Sequence, residues 1–253
     1  MRRLSLRDLV ASLAMLLAVI GLWWLASHQQ WVSKVFLPTP EAAVGSLTEG
    51  LRDGDLAGYT LATINRMLVG WLLASLFGIT LGALIGSSAA ARSWLQPMLE
   101  FIRPMPASAM MPLAIAIFGL SPGMVLFVVA FGAMWPVLLA TIHGFTSVHA
   151  RLGEVAQALQ LSRVAFVMKI GLPNAMPDIL AGMRLSLTVS LIVAVVGEMI
   201  ASQSGLGQAI LLAARSFRAS ELFAGVILLG AIGFLSNLLL SGAEHRLLRW
   251  QRR

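Results

Sequence analysis

"GEVAQALQLSRVAFVMKIGLPNAMPDI", Gly153–Ile179, is the stretch from which the rest of the chain is read. It lies between two strongly apolar runs, yet it carries Glu154, Arg163, Lys169 and Asp178. Those charges argue against its crossing a bilayer, where each costs about 2.5–3.5 kcal/mol at mid-depth. Its apolar residues still follow helical spacing. With about 100° of turn per residue, Val155, Leu159 and Phe166 fall within roughly 40° of one another. Glu154, Gln157 and Gln160 lie on a separate polar arc. The spacing predicts an amphipathic helix over about Gly153–Val167, with Pro173 and Pro177 ending the segment and starting the next apolar run. Such a helix needs a neighbour for its apolar stripe. A docked protein, the lipid surface and a plain loop packing are all open. A lipid-surface helix is rich in Lys and Arg on its polar face. This one offers Glu154, two glutamines and Arg163, which favours a protein groove.

The composition gives the segment its setting. Of 253 residues, 58% are hydrophobic and only 11% charged, against about 25% charged in soluble domains. Most of the surface therefore does not face water. The net charge of +7 reads as the basic bias of cytoplasmic loops rather than as nucleic-acid binding. The chain has no cysteine, so it builds no disulfide or thiolate metal site, and its four histidines are scattered.

"LVASLAMLLAVIGLWWLAS" (Leu9–Ser27) is uncharged over about the 20 residues a spanning helix needs. Trp23, Trp24 and Trp31 suit an interfacial belt. A signal peptide is the rival reading, but no clear small-x-small cleavage site follows. Thr39 and Pro40-Glu41 read as the start of a short surface helix. Further spans are expected at about 61–90, 107–120, 124–145, 178–201 and 222–243. In the second, Gly78, Gly82 and Gly86 form a small-residue stripe suited to close helix packing. Arg92–Arg103 reads as a polar connector. The third span is short and contains Pro112, so it belongs inside the bundle. Pro136 is expected to kink the fourth. The result is an all-α integral membrane protein in a single domain of about six helices, with a loop segment at about 151–174. Of 18 Lys and Arg, only Lys34, Arg52, Arg66, Arg215 and Arg218 fall on the side opposite the termini. The termini and the opening segment are therefore expected in the cytoplasm.

Glu198 lies near the outer end of the fifth span. It reads either as a gate or ion pair, or as an interfacial carboxylate beside water or Arg215. Arg184 at the inner end is expected to snorkel. Ser186 and Ser190 could line a pathway or bond to backbone. Met110 and Met111 could pack a flexible gate or an ordinary core. Arg215, Arg218 and Glu221 fit either a docking rim or a solvated turn.

The segment from Glu154 to Pro173, "EVAQALQLSRVAFVMKIGLP", resembles the cytoplasmic signature of permease subunits of bacterial ATP-binding-cassette importers. That signature reads Glu-Ala-Ala, three residues, Gly, nine residues, then Ile-x-Leu-Pro. Glu154, Ala156, Ile170, Leu172 and Pro173 match, Val155 replaces an alanine, and Gln160 stands where glycine is expected. "FIRPMPASAMMPLAIAIFGL" (Phe101–Leu120), "VVGEMIASQSGLGQAI" (Val195–Ile210), "LPTPEAAVGSL" and "LLRW" are similar to permeases for nitrate, sulfonate and taurine. The resemblance implies a type I (MetI-like) permease fold in the bacterial inner membrane. It further implies a homodimer, two copies of a separate ATPase, and a periplasmic binding protein. ATP and Mg would sit on the ATPase, since this chain has no Gly-x-x-x-x-Gly-Lys-Ser/Thr loop; the chain is a transport subunit, not an enzyme, and needs no cofactor. Glu154 is then expected to pair with a basic residue of the ATPase. Ala156, Gln157, Ala158, Gln160, Leu161, Ser162, Ile170, Leu172 and Pro173 would shape the coupling element. Met110, Met111, Ser186, Ser190 and Glu198 are the candidates for the pathway or its gate.

Overall fold

In a computed structural model of the chain, which describes residues 6–248, five helices are long and apolar enough to cross a membrane. They are α1 (Leu6–His28), α3 (Leu56–Gly86), α6 (Pro122–Thr146), the long helix Arg163–Ala201, and α11 (Ala219–Leu247). Among them lie α2 (Pro40–Arg52), α4 (Ala89–Ile102), α5 (Met111–Phe118), α7 (Ala150–Ala158) and α10 (Leu206–Arg215). The long helix consists of α8 (Arg163–Phe166), a π-helical turn (Val167–Gly171) and α9 (Leu172–Ala201). Arg2, Arg3, Arg249, Arg252 and Arg253, used above to orient the chain, lie outside the described residues.

The core is a three-helix stack of α3, α6 and α9. In lipid there is no hydrophobic drive between helices, so close van der Waals fit must hold them. The small-residue stripe provides it. A Cβ on Gly78 would lie 2.9 Å from the Val137 Cβ, and one on Gly82 would lie 2.6 Å from the Thr141 Cβ. Gly144 meets Ala175 in the same way across α6 and α9. Met111, Ala114, Met124, Val128 and Ala194 fill the stack at one end, and Phe145, Ala175 and Ile179 at the other. By contrast, α1 is almost uncovered along its length. It is fixed at one end, where the Trp23 indole donates to the Pro38 carbonyl (2.9 Å) and stacks on Phe223. The Trp24 indole donates to Glu41 at the start of α2 (3.0 Å). Thr39 caps α2 by accepting from the Ala42 N–H. The bond from its own backbone N–H, helped by Thr39 and Trp24, holds the exposed Glu41 carboxyl below the ordinary range.

Three elements differ from the sequence reading, beyond end shifts of a few residues such as that of α3, which runs Leu56–Gly86 where 61–90 was expected. The stretch read as a connector, Arg92–Arg103, is mostly helix α4, capped by the Ser88 hydroxyl at the Ala91 N–H. Trp94, Met98 and Phe101 give α4 an exposed apolar face that its charges hide in a linear scan. The third span, expected at 107–120, is a 3-10 turn (Ala107–Met110) plus α5, too short to cross about 30 Å alone. It passes as a span only together with α4, bent by 88°. Pro112 does not break this element; it sits in the first turn of α5, where no N–H is needed. Finally, Pro173 and Pro177 do not end the helical segment, because helix runs unbroken from Arg163 to Ala201. The π-helical turn just before Pro173 loosens the ladder where proline would clash with a preceding carbonyl.

Candidate functional site

The segment 150–173 is built by three caps in series. His149 opens α7 by accepting from the Arg151 N–H (3.3 Å). The helix closes in a Schellman turn: the Leu161 N–H donates to the Ala156 carbonyl (2.9 Å) and the Gln160 N–H to that of Gln157 (3.0 Å). Gln160 carries the left-handed backbone of that turn, with φ of 50°. Ser162 then starts the next helix, its hydroxyl accepting from the Ala165 N–H (3.2 Å). The single helix expected over Gly153–Val167 is therefore two helices with a sharp turn between them. The cause is local: Gln160 adopts the conformation that glycine usually supplies, and Ser162 offers a fresh cap. Val155 and Leu159 consequently lie on a different helix from Phe166.

The turn leaves an uncovered apolar face. Leu152, Val155, Leu159, Val164 and Met168 are all exposed, Val164 by 73%, while Ala156 is buried. Behind the turn is a cleft of about 590 Å³ lined by Ser88, Ala156, Leu161, Arg163 and Phe166, among others. Glu154, Gln157, Ala158, Gln160 and Ser162 are exposed. Among the described residues no cation pairs with Glu154. Ile170 and Leu172 are partly covered and Pro173 is exposed. Leu172 packs on the cluster of Phe145, Ala175 and Ile179, so the Ile-x-Leu-Pro end ties the segment to the bundle.

At the opposite end of α9 the carboxylate of Glu198 is fully buried. It accepts from the Thr63 hydroxyl (3.0 Å to each oxygen), from Arg66 (2.7 Å) and from the Gly207 N–H (2.9 Å). The Thr63 hydroxyl also accepts from the Leu206 N–H (2.9 Å), and Arg66 donates to the Ser204 carbonyl (2.7 Å). Two backbone donors at the start of α10 are thus satisfied by side chains from α9 and α3. Gly205 is required by close approach: a Cβ there would lie 2.3 Å from the Glu198 carboxyl carbon.

Glu198 therefore forms an ion pair, with Arg66, and the reading of it as an interfacial carboxylate beside water or Arg215 does not fit a fully buried side chain. The spacing of Thr63 and Arg66, three residues apart on one helix, was the available signal; nothing in one sequence says which distant carboxylate they face. Arg215 is exposed, and Arg218 pairs with Glu221 (2.9 Å). Arg184 does not snorkel free, since its guanidinium pairs with Glu244 of α11. Ser186 and Ser190 are fully buried, and their hydroxyls donate to the Ala133 and Leu187 carbonyls. Met111 is buried in the core and Met110 is partly covered.

Residues 74–253 match the family described as the binding-protein-dependent transport system inner membrane component. A Bacillus subtilis (strain 168) protein named for aliphatic sulfonates transport is 34% identical over 233 residues, covering 92% of this chain and 84% of that one. The taurine transport system permease of Escherichia coli (strain K12) is 30% identical over 96% of this chain and 90% of its own. The nitrate import permease of Leptolyngbya laminosa is 32% identical over 73% of this chain and 66% of its own. With its all-helical fold and several apolar helices able to cross a bilayer, the chain belongs to this family of multi-pass inner-membrane permeases.

Proposed function

We propose that this chain is the transmembrane subunit of an ATP-driven importer for a small sulfonate-, taurine- or nitrate-like ion. In this reading residues 150–173 dock into a separate ATPase. The observation that carries it is the bare apolar face of Leu152, Val155, Leu159, Val164 and Met168, held in one shape by its own caps. A face presented rigidly costs little ordering entropy on binding. A partner groove is favoured over lipid by the first helix and its closing turn, whose polar side carries Glu154, Gln157 and Gln160 rather than the Lys- and Arg-rich face of a membrane-surface helix; Arg151, Arg163 and Lys169 lie at the edges of the apolar face.

The roles follow from position. Glu154 pairs with a basic residue of the ATPase groove. Ala156, Gln157, Ala158, Gln160, Leu161 and Ser162 form the turn that enters the groove. Ile170, Leu172 and Pro173 transmit its displacement to α9. This end of the bundle is cytoplasmic together with both termini, and α10 faces the periplasm, where a soluble binding protein delivers the ion. Two copies of this chain pair with two ATPases. ATP and Mg are bound and consumed there, and this chain performs no catalysis. The substrate class rests on the relatives' names.

The deciding experiment is gentle detergent capture of the tagged chain from native membranes, with partner ratios measured. A nucleotide-binding ATPase in equal amount, lost when Val155 and Leu159 are both changed to Ser, is the expected result. A chain recovered alone and driving uptake in vesicles without ATP overturns the reading in favour of a secondary transporter.

A further inference from the structure

The buried polar cluster lies far from the segment that the proposed function uses, yet the same helix carries both. Helix is continuous from Arg163, three residues after Gln160, to Ala201, three residues after Glu198. At about 1.5 Å per residue this is a rod nearly 60 Å long. One end is the second helix of the docking turn. The other end holds α10 through Glu198.

How α10 is held is distinctive. Its first two N–H groups are tied to Thr63 and Glu198, and Arg66 grips the carbonyl of Ser204 just before it. Along its flanks lie two open clefts of about 410 and 340 Å³. The first is bounded by Ala209, Ile210 and the α2–α3 junction at Asp53 and Asp55. The second is bounded by Gln208, Leu212 and Tyr59. The helix also packs on α11, where Ile210 lies against Gly225 and Ala213 is buried, so its free side is the one facing the clefts, and a tilt toward them turns about the pin. Two of the three bonds in the pin are charge-assisted, those of Glu198 and Arg66, so tilting loads α3 and α9.

We infer that Thr63, Arg66 and Glu198 form a latch that couples the position of α10 to α9, and through α9 to the docking turn. They are positioning residues for the transport cycle, and this rests on the importer reading for its functional consequence. In that reading α10 lies on the face that the binding protein approaches. Displacement of α10 by the docked protein is passed down α9 to the ATPase, so that ATP is hydrolysed fastest when cargo is delivered. A latch whose only task is to hold the fold has no such consequence.

The test uses the full complex of permease, ATPase and binding protein in lipid nanodiscs. Thr63→Val removes the hydroxyl and keeps the side-chain shape. Arg66→Met removes the charge, and Arg66→Lys restores it. Amide exchange over residues 206–210 of α10 is expected to rise about tenfold in the first two variants and to recover in the third, with α11 unchanged. In Thr63→Val, which keeps the Arg66–Glu198 pair, basal ATP hydrolysis stays within about twofold while stimulation by the binding protein falls about fivefold or more; Arg66→Met, which strands the buried Glu198 carboxylate, is judged by exchange alone. Unchanged exchange over α10 overturns the latch. So does a fall of basal and stimulated rates together in Thr63→Val, which marks a purely structural role. If wild type itself shows no stimulation, the importer reading fails, and the exchange data alone judge the latch.

Discussion

At one end of the bundle Glu154 is exposed, with no cation on it among the described residues; at the other, Glu198 is fully buried and accepts from three donors. Both carboxylates sit in a chain with few charges, and both resemble motif residues of the same family. Their surroundings are opposite. Around Glu154 the apolar side chains are bare and the backbone is held only by local caps. Both oxygens of Glu198 find donors on other helices. An unfinished surface signals a partner outside the chain, and a closed polar cluster signals work done inside it. The same residue type therefore carries two different predictions.

The largest effect on stability belongs to the closed end. Glu198→Ala leaves Thr63 and the Gly207 N–H without their acceptor in a buried site, and Arg66 without its counter-charge. Removing one member of a buried ion pair costs about 3–5 kcal/mol. Thermal unfolding in mild detergent, followed by size-exclusion of the soluble fraction, is expected to show a melt well below wild type. A variant that melts with wild type means the cluster is open to water and the contrast with Glu154 is false.

Glu154→Lys is the matching change at the bare end. It is expected to leave folding and insertion intact, because the side chain is exposed and supports nothing within the chain. It weakens ATPase capture by about 2–5 kcal/mol, the range for disrupting a charge pair at an interface, and uptake falls to background. Normal uptake by a stably assembled Glu154→Lys complex removes Glu154 from the docking site. A smaller effect is expected inside the core. Gly82→Val drives a branched side chain into the Thr141 Cβ and the Leu138 carbonyl, a form of overpacking that costs about 1–3 kcal/mol. Its melting temperature should fall between those of Glu198→Ala and wild type.

The sequence spoke clearly where periodicity and local chemistry decide. The long apolar runs gave α1, α3, α6 and α11, and Thr39-Pro40-Glu41 marked the start of α2. The Gly78–Gly82–Gly86 stripe pointed to the close face of α3. What it concealed depends on distance or on backbone conformation. Arg66 and Glu198 are 132 residues apart and meet only through the fold. The helix α4 was masked because Arg92 and Glu100, and Arg103 just past its end, interrupt the apolar run in a linear scan although they lie away from its apolar face. Pro173 and Pro177 looked like terminators, since proline removes a ladder bond, yet a π-helical turn absorbs the first of them. The departure at Gln160 was visible as a mismatch with the family signature. Only its φ shows what the mismatch does.

That residue gives the finest test of the bare end. A left-handed backbone costs a residue with a Cβ about 1–2 kcal/mol, and glycine nothing. Glycine loses about 0.5–1 kcal/mol in return, because its unfolded chain is freer. The first term is the larger, so Gln160→Gly is expected to firm the turn by about 0.5 kcal/mol. The Leu161 amide, which donates to Ala156 across the turn, should then exchange about twofold more slowly. Gln160→Val, branched at Cβ and least suited to this conformation, should exchange faster than wild type. Slower exchange in the glycine variant and faster exchange in the valine variant mark a turn preset for its groove. The reverse order means that the turn rests in another shape and reaches this one only when docked.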